Sequence, residues 1–410
     1  MTFEPPRLPA AFIRLAWSNL AAQCSEQMAL AAATIVAVLA LDAGGAETGL
    51  LQTAQTLPFL LLSLPMGVVA DRVSRRGLMV AAEAARAASL ALTLALVVAG
   101  KLDLALLAGL GFLGATGTVA YSVAAPALVP LLSPREALPL ANRWLELARS
   151  AAFAAGPAIG GALVGWSGAP AAYIVATTLS LAAVVTLARL PAGKPAAQAG
   201  RRHPLRDLAE GARFVVGHAL LRPLLVVAIV FNTSWFALQA VYAPYAVHHL
   251  GLDASGVGAT LGAYGAGMIV GAIGAPSLGR IFTFDASIVI GPLCGLIASV
   301  LMALTIVAPS GLIAAFSFFL FGAGPVVWVI TTTTLRQTVT PNAMLGRVSA
   351  IIVTATMGAR PLGAALGSAL SAAYGVEACL VFSAVGFFVQ FAAIVASAPP
   401  RLKALPEAAE

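Results

Sequence analysis

The sequence predicts an all-α membrane protein, with twelve transmembrane helices arranged as two pseudo-symmetric six-helix bundles. Three observations carry that prediction: composition, the recurrence of apolar stretches of spanning length, and a repetition of the first half in the second. The 410 residues are 60% hydrophobic and 10% charged, with a mean hydropathy of +0.95. An ordinary soluble domain has about a quarter of its residues charged. A folded soluble chain could not hide this much apolar surface, because even large domains leave much of their surface in water. Lipid is therefore the expected solvent.

A helix that crosses a bilayer needs about 20 mostly apolar residues. The qualifying stretches are 15–41, 49–70, 77–99, 104–132, 147–167, 169–190, 223–247, 256–278, 286–308, 311–334, 348–373 and 376–398. The first is too long for a signal-peptide core and no convincing cleavage site follows it, so it is expected to be retained. Between the sixth and seventh, ARLPAGKPAAQAGRRHPLRDLAEGARFVVGH is polar, basic and proline-containing. Leu205, Leu208, Ala212 and Val215 give it a weak helical stripe, as in a helix lying on the membrane surface. The expected organisation is a bundle over 1–190, a cytoplasmic linker over 191–222, a second bundle over 223–398 and a tail over 399–410.

The formal charge of +7 is informative by position and needs no nucleic-acid partner. With the N-terminus in the cytoplasm, one set of loops holds Arg72, Arg75, Arg76, Arg135, Arg143, Arg280, Arg336 and Arg347. The linker adds Arg189, Lys194, Arg201, Arg202, Arg206, Arg213 and Arg222. The other set holds Lys101 alone, beside Asp42, Glu47, Asp103, Asp253 and Glu377. The positive-inside rule then places both termini in the cytoplasm.

The halves also align. LGR at 278–280 takes the place of ADR at 70–72, and LRQTVTPNAML at 335–345 that of LVPLLSPREAL at 128–138. At a slightly shorter spacing, Arg143 matches Arg347 and Pro157 matches Pro361. Duplicated six-span halves are used by alternating-access carriers, with the substrate site between them near the midplane.

These residues resemble the major facilitator superfamily. Gly67, Asp71, Arg72, Arg75 and Arg76 match its loop motif G-x-x-x-D-R-x-G-R-[KR], with Ser74 in place of the second glycine. Gly156, Pro157, Gly160 and Gly161 in GPAIGG match the core of the fifth-helix motif of its exporters, although Arg149 and Phe153 replace glycines upstream. SPREALPLANRW, TPNAMLGRVSA and GARPLGAALG are similar to the bacterial group of the enterobactin exporter and macrolide-efflux proteins. The fourth span lacks the arginine that many proton-coupled drug exporters carry.

The resemblance implies that Asp71 docks on the N-terminus of the eleventh spanning helix, just after Gly346 and Arg347, latching the cytoplasmic ends together. A helix N-terminus favours a carboxylate, and Arg72 and Arg76 would add charge-assisted hydrogen bonds. A solvated turn that only sets topology is the plainer reading. Gly67 would let the second helix approach the eleventh closely. Pro157 removes an internal hydrogen bond. Gly156, Gly160 and Gly161 offer a groove expected to face the eighth span, with its Gly262, Gly265, Gly267 and Gly271. Ordinary close packing would use the same residues.

Ionisable residues inside a membrane are costly and usually face a cavity or a partner. Glu26 lies in the first span beside Gln23 and Gln27 and is a candidate proton carrier. The alternative is a structural pair with Arg149 or Arg360. Either arginine could instead neutralise an acidic substrate. Glu83 and Arg86, three residues apart and towards the cytoplasmic end of the third span, read as a local ion pair. Asn232, Trp235, Gln239 and Tyr242 share one face of the seventh span. Gln52, Gln55 and Thr56 in the second span, and Trp328 with Thr331 to Thr334 in the tenth, complete the candidate cavity lining. Tyr245 reads as an interfacial anchor.

Cys24, Cys294 and Cys379 lie in apolar stretches without metal-ligand spacing, and His248 with His249 is a weak metal signal. No phosphate loop, zinc motif or nucleophile triad occurs, so no cofactor and no catalytic residue are expected. The resulting expectation is a monomeric secondary transporter in a bacterial inner membrane, exporting a small amphiphilic molecule by exchange for protons. An importer of the same fold is the alternative. A non-transporting membrane scaffold or enzyme is a third reading that no residue favours.

Overall fold

A computed structural model of the chain describes residues 8–134, 137–191, 204–281, 283–341 and 344–397. Linker residues 192–203, the tail 399–410 and Arg135 lie outside the described residues. So do the side chains of Asp71, Arg72, Arg143, Arg206 and Arg280, and the surroundings of Gly67 and Gly346.

Among the described residues the structure is all-helical. Six long helices, α1 (Ala10–Leu41), α2 (Gly45–Arg72), α3 (Arg75–Val98), α4 (Leu104–Leu132), α5 (Leu138–Ser167) and α6 (Ala169–Ala188), form a first group. A short helix, α7 (Pro204–Gly217), follows in the linker. The second group is α8 (Leu221–His248), α9 (Ala254–Ile281), α10 (Phe284–Leu304), α11 (Gly311–Val339), α12 (Leu345–Tyr374) and α13 (Val376–Val395). Among the described residues, eleven of these helices are long and apolar enough to cross a membrane, every long one but α2. The twelfth expected crossing is α2, 28 residues long with Pro58 and Pro65 inside it and packed along α4 and α12.

The turns divide the molecule into a basic face, where α1 begins and α2 ends, and an opposite face. Acidic residues of the opposite face cap helices. Asp103 Oδ1 accepts from the Leu106 N–H at 2.7 Å at the start of α4, and Asp253 Oδ1 from the Gly256 N–H at 2.7 Å at the start of α9. Each satisfies a backbone donor with no intrahelical partner and places negative charge at the positive end of a helix.

The repetition in the sequence has a backbone counterpart. Helices α5 and α12 are each 30 residues long with one internal proline, Pro157 and Pro361, and α6 and α13 are each 20 residues long. Each pair is joined through one glycine, Gly168 at φ 80° and Gly375 at φ 87°. Side chains are strained in that left-handed region, so glycine is the natural single-residue hinge between two helices.

The two groups meet along α5 with α9 and along α2 with α12 and α8. At the opposite face the contact is backbone on backbone. A Cβ on Gly49 would sit 2.6 Å from Ser368 Cα, and the Ser368 hydroxyl donates to the Ala46 carbonyl at 2.7 Å. One large buried cluster joins Ile35 and Val38 of α1 to α8, α9, α10, α11 and α13. Towards the basic face, two further clusters stay apart: the one around Phe12 and Leu128 lies within the first group, and the one around Leu221 and Val348 within the second group plus α7.

The expected eighth-span contact of the fifth-helix motif is split. Gly161 packs on α9, but Gly156 and Gly160 rest on α1, where added Cβ atoms would approach Gln27 Cβ at 2.5 Å and the Met28 carbonyl at 3.0 Å. On α9, Gly262 and Gly265 face Ala154 of α5, whereas Gly267 and Gly271 face Phe319 and Ala323 of α11. The four glycines of α9 point two ways because successive small residues on a helix wind around its axis. The amphipathic linker helix α7 packs on α12 and α8. Glu210 accepts from Arg347 Nη1 at 2.6 Å, and Gly211 lies against the Arg347 carbonyl.

Candidate functional site

A cavity of about 330 Å³ lies between the two groups of helices. Glu26, Gln27 and Thr34 border it from α1, Gln52, Gln55, Thr56 and Phe59 from α2, Arg86 from α3, Thr118 from α4, and Arg149, Phe153 and Pro157 from α5. The second group supplies Phe231, Asn232, Trp235, Phe236, Gln239 and Tyr242 of α8, Tyr264 of α9 and Arg360 of α12.

The charges are ordered by distance. Arg86 is the hub. Its Nη1 lies 2.8 Å from Glu83 Oε2 and its Nη2 lies 3.5 Å from Glu26 Oε2. It also donates to Thr118 Oγ1 at 2.6 Å and to the Ala22 carbonyl at 3.3 Å. Glu83 is fully buried, and its second oxygen accepts from the Ser180 hydroxyl at 2.5 Å. Glu26 keeps 17% of its side chain exposed, on the cavity side. The expected Glu83–Arg86 pair is formed, but it is more than local, because it also ties α3 to α1, α4 and α6.

Neither Arg149 nor Arg360 forms an ion pair with Glu26 among the described residues. Arg149 instead pairs with Glu146 one turn earlier, its Nε 3.0 Å from Oε2, and sits over the Phe153 ring at 5.7 Å. The Arg360 guanidinium lies over two rings, 5.6 Å from the centroid of Phe59 and 5.2 Å from that of Phe236. Its Nε is buried and has no hydrogen-bond partner.

Of the candidate lining, Gln27, Gln52, Gln55, Thr56, Asn232, Trp235, Gln239 and Tyr242 border the cavity, and Gln23 and Trp328 do not. Trp328 packs beside the buried cluster of α7, α8, α10, α11 and α12 near the basic face. The hydroxyls of Thr331, Thr332 and Thr334 are absorbed by α11 itself, donating to Val327, Trp328 and Ile330 carbonyls at 2.9, 2.8 and 3.0 Å. Tyr245 is fully buried rather than interfacial, its hydroxyl 2.7 Å from Thr305 Oγ1. His249 stacks on Tyr245 and lies 3.8 Å from Glu377, and no cluster with metal-binding composition occurs among the described residues.

Five aromatic neighbours of the cavity are not among the residues the sequence points to: Phe59, Tyr173, Phe231, Phe236 and Tyr264. Trp235 stacks on Tyr264 at 5.0 Å between centroids and meets Phe321 at 4.8 Å, giving the second group a continuous aromatic wall. The signal was present in FNTSWF at 231–236, where three rings flank the polar positions.

A family model described as "Transmembrane secretion effector" matches residues 5–409. The multidrug efflux pump Tap of Mycolicibacterium fortuitum is 27% identical over 388 residues, 91% of this chain and 92% of the relative. The enterobactin exporter EntS of Escherichia coli is 30% identical over 269 residues, 64% of this chain and 61% of the relative. The fold is that of the nucleoside transporter NupG, with a TM-score of 0.74 at 12% identity over 94% of this chain and 98% of the other. A bacterial homologue of the iron transporter ferroportin, in an inward-facing state, gives a TM-score of 0.68 at 16% identity, covering 93% and 98% of the two chains.

Proposed function

The chain belongs to the transmembrane secretion effector family of the major facilitator superfamily, and we propose that it exports a small amphiphilic molecule across a bacterial inner membrane in exchange for protons. The observation that carries this reading is the cavity shared by both groups of helices, bordered by a carboxylate and an aromatic wall. The efflux activity in the names of Tap and EntS supports the outward direction.

In this reading α2 is the twelfth crossing, residues 1–190 and 223–398 are the two moving bundles, and the basic face is cytoplasmic. The contacts at the opposite face then close the cavity towards the outside. Glu26 is the switchable charge. Glu83 lies 2.8 Å from Arg86, nearer than Glu26 at 3.5 Å, so protonating Glu26 would remove one partner without stranding the guanidinium. The neutral side chain is then free to leave Arg86 as the bundles rock. Asp71 at the end of α2 would latch the basic face in the alternate form, when it reaches the start of α12.

Everted membrane vesicles test the proposal. Energising them with a proton gradient should drive at least one of a panel of anionic, neutral and cationic amphiphilic fluorophores into the vesicle lumen, and Glu26→Gln should remove the dependence on the gradient. Uptake that runs the other way, or a Glu26→Gln variant with unaltered pH dependence, would overturn the direction or the coupling respectively.

A further inference from the structure

Three guanidinium groups border the cavity, and their charges are answered unequally. Arg86 has Glu83 and Glu26, and Arg149 has Glu146. Arg360 has no carboxylate within ion-pair distance among the described residues, and its buried Nε has no acceptor. Its guanidinium carbon lies over the rings of Phe59 and Phe236, at 5.6 and 5.2 Å from their centroids. An aromatic face stabilises the cation as a whole but leaves the N–H edge unsatisfied. That edge is the part of arginine that grips a carboxylate through two parallel hydrogen bonds.

We propose that Arg360, held over the rings of Phe59 and Phe236, anchors the acidic group of an amphiphilic organic anion whose planar apolar part lies along Phe231, Trp235 and Tyr264. This rests on the transporter reading of the cavity. Size agrees, because about 330 Å³ accepts a two-ring aromatic acid. Charge favours an anion over a cation. The carboxylate that borders the cavity, Glu26, already faces Arg86, so an incoming cation must compete with a fixed guanidinium. An incoming anion at Arg360 displaces no protein partner.

The test uses purified protein in lipid nanodiscs, with empty nanodiscs subtracted, and three probes that share one fluorophore. These are the anion dansylglycine, its neutral methyl ester and the cation dansylcadaverine. The wild-type protein should bind the anion at least about tenfold more tightly than the ester, the gain from one charge-assisted hydrogen-bonded pair. Arg360→Gln should abolish that preference, and Arg360→Lys should keep part of it. Equal affinity for anion and ester in the wild type, or an unchanged preference in Arg360→Gln, overturns the proposal. If Arg360→Gln does not fold, the three probes on the wild type decide alone. Energised uptake of a panel of anionic, neutral and cationic fluorophores in everted vesicles separates the two readings. Protein that moves a fluorophore but ignores probe charge keeps the transport role and loses the anchor. Arg360-dependent anion binding without any transport does the reverse.

Discussion

Gly161 of α5 and Gly258 of α9 meet across the two groups of helices so closely that a Cβ on either would lie 2.7 or 2.8 Å from the other's Cα. No real Cβ tolerates that contact with a backbone atom. Gly161→Leu should therefore pry the opposite face apart at a cost of about 1–3 kcal/mol, the usual range for overpacking. A cysteine at Gln52 in this background should react faster with a membrane-impermeant maleimide added from the opposite face. An unchanged labelling rate with normal expression would show that the face is not sealed there.

Arg86 stands between two carboxylates, and removing it strands both. Arg86→Met should destabilise the protein by about 3–5 kcal/mol, as expected when one partner of a buried ion pair is lost. Glu26→Gln, which leaves the tighter Glu83–Arg86 pair intact, should cost clearly less. Thermal unfolding in detergent should give the order wild type, Glu26→Gln, Arg86→Met. Equal midpoints for the two variants would contradict the hub geometry.

Much of the architecture was legible in the sequence because lipid enforces simple rules: about 20 apolar residues per crossing, arginines on one side, and landmarks repeated in each half. What was not legible is which side of each helix faces what. In water an amphipathic stripe marks the buried face. In a membrane both lipid and neighbouring helices are apolar, so that stripe fades. Trp328 and the threonines of α11 were consequently assigned to the cavity, and Gly267 and Gly271 to the wrong neighbour. Arg86 was read as a local partner of Glu83, because three-residue spacing explains that pair by itself. Its reach to Glu26 and Thr118 exists only in three dimensions.

His218, between α7 and α8, offers a pH-dependent test outside the membrane spans. Its Nδ1 accepts from the Leu220 and Leu221 N–H groups at 3.2 and 3.4 Å, capping the start of α8, and partial burial lowers its pKa below the ordinary 6.5. A neutral ring is required at Nδ1. The stability it contributes is therefore present above pH 6.5 and lost as pH falls from 6.5 through the lowered value. His218→Ala should cost about 1 kcal/mol or less near neutral pH, the lower range for a lost helix cap. Titration by NMR should place the His218 midpoint below that of a free histidine.

The Glu210–Arg347 pair is partly exposed, with 39% and 31% of the side chains open. Glu210→Ala should therefore cost no more than about 1 kcal/mol. Limited proteolysis near α7 should nevertheless accelerate, because the pair helps to hold the linker helix on α12. An unchanged cleavage rate would leave the packing of Gly211 as its anchor.

Asp71→Asn should weaken closure of the basic face in the alternate form. Accessibility of cavity cysteines should shift towards the basic face, with the opposite face less often open. The same accessibility from both sides before and after the change would leave Asp71 a solvated turn residue.

Gly160 rests on the Met28 backbone of α1, and its neighbour Gly161 rests on Gly258 of α9. Two residues before Met28 is Glu26. A displacement of α9 thus has the width of one helix to cross before it nudges the turn that bears the acid. A substitution that resets the contact of α5 with α9 should therefore also disturb the seating of Glu26 on α1.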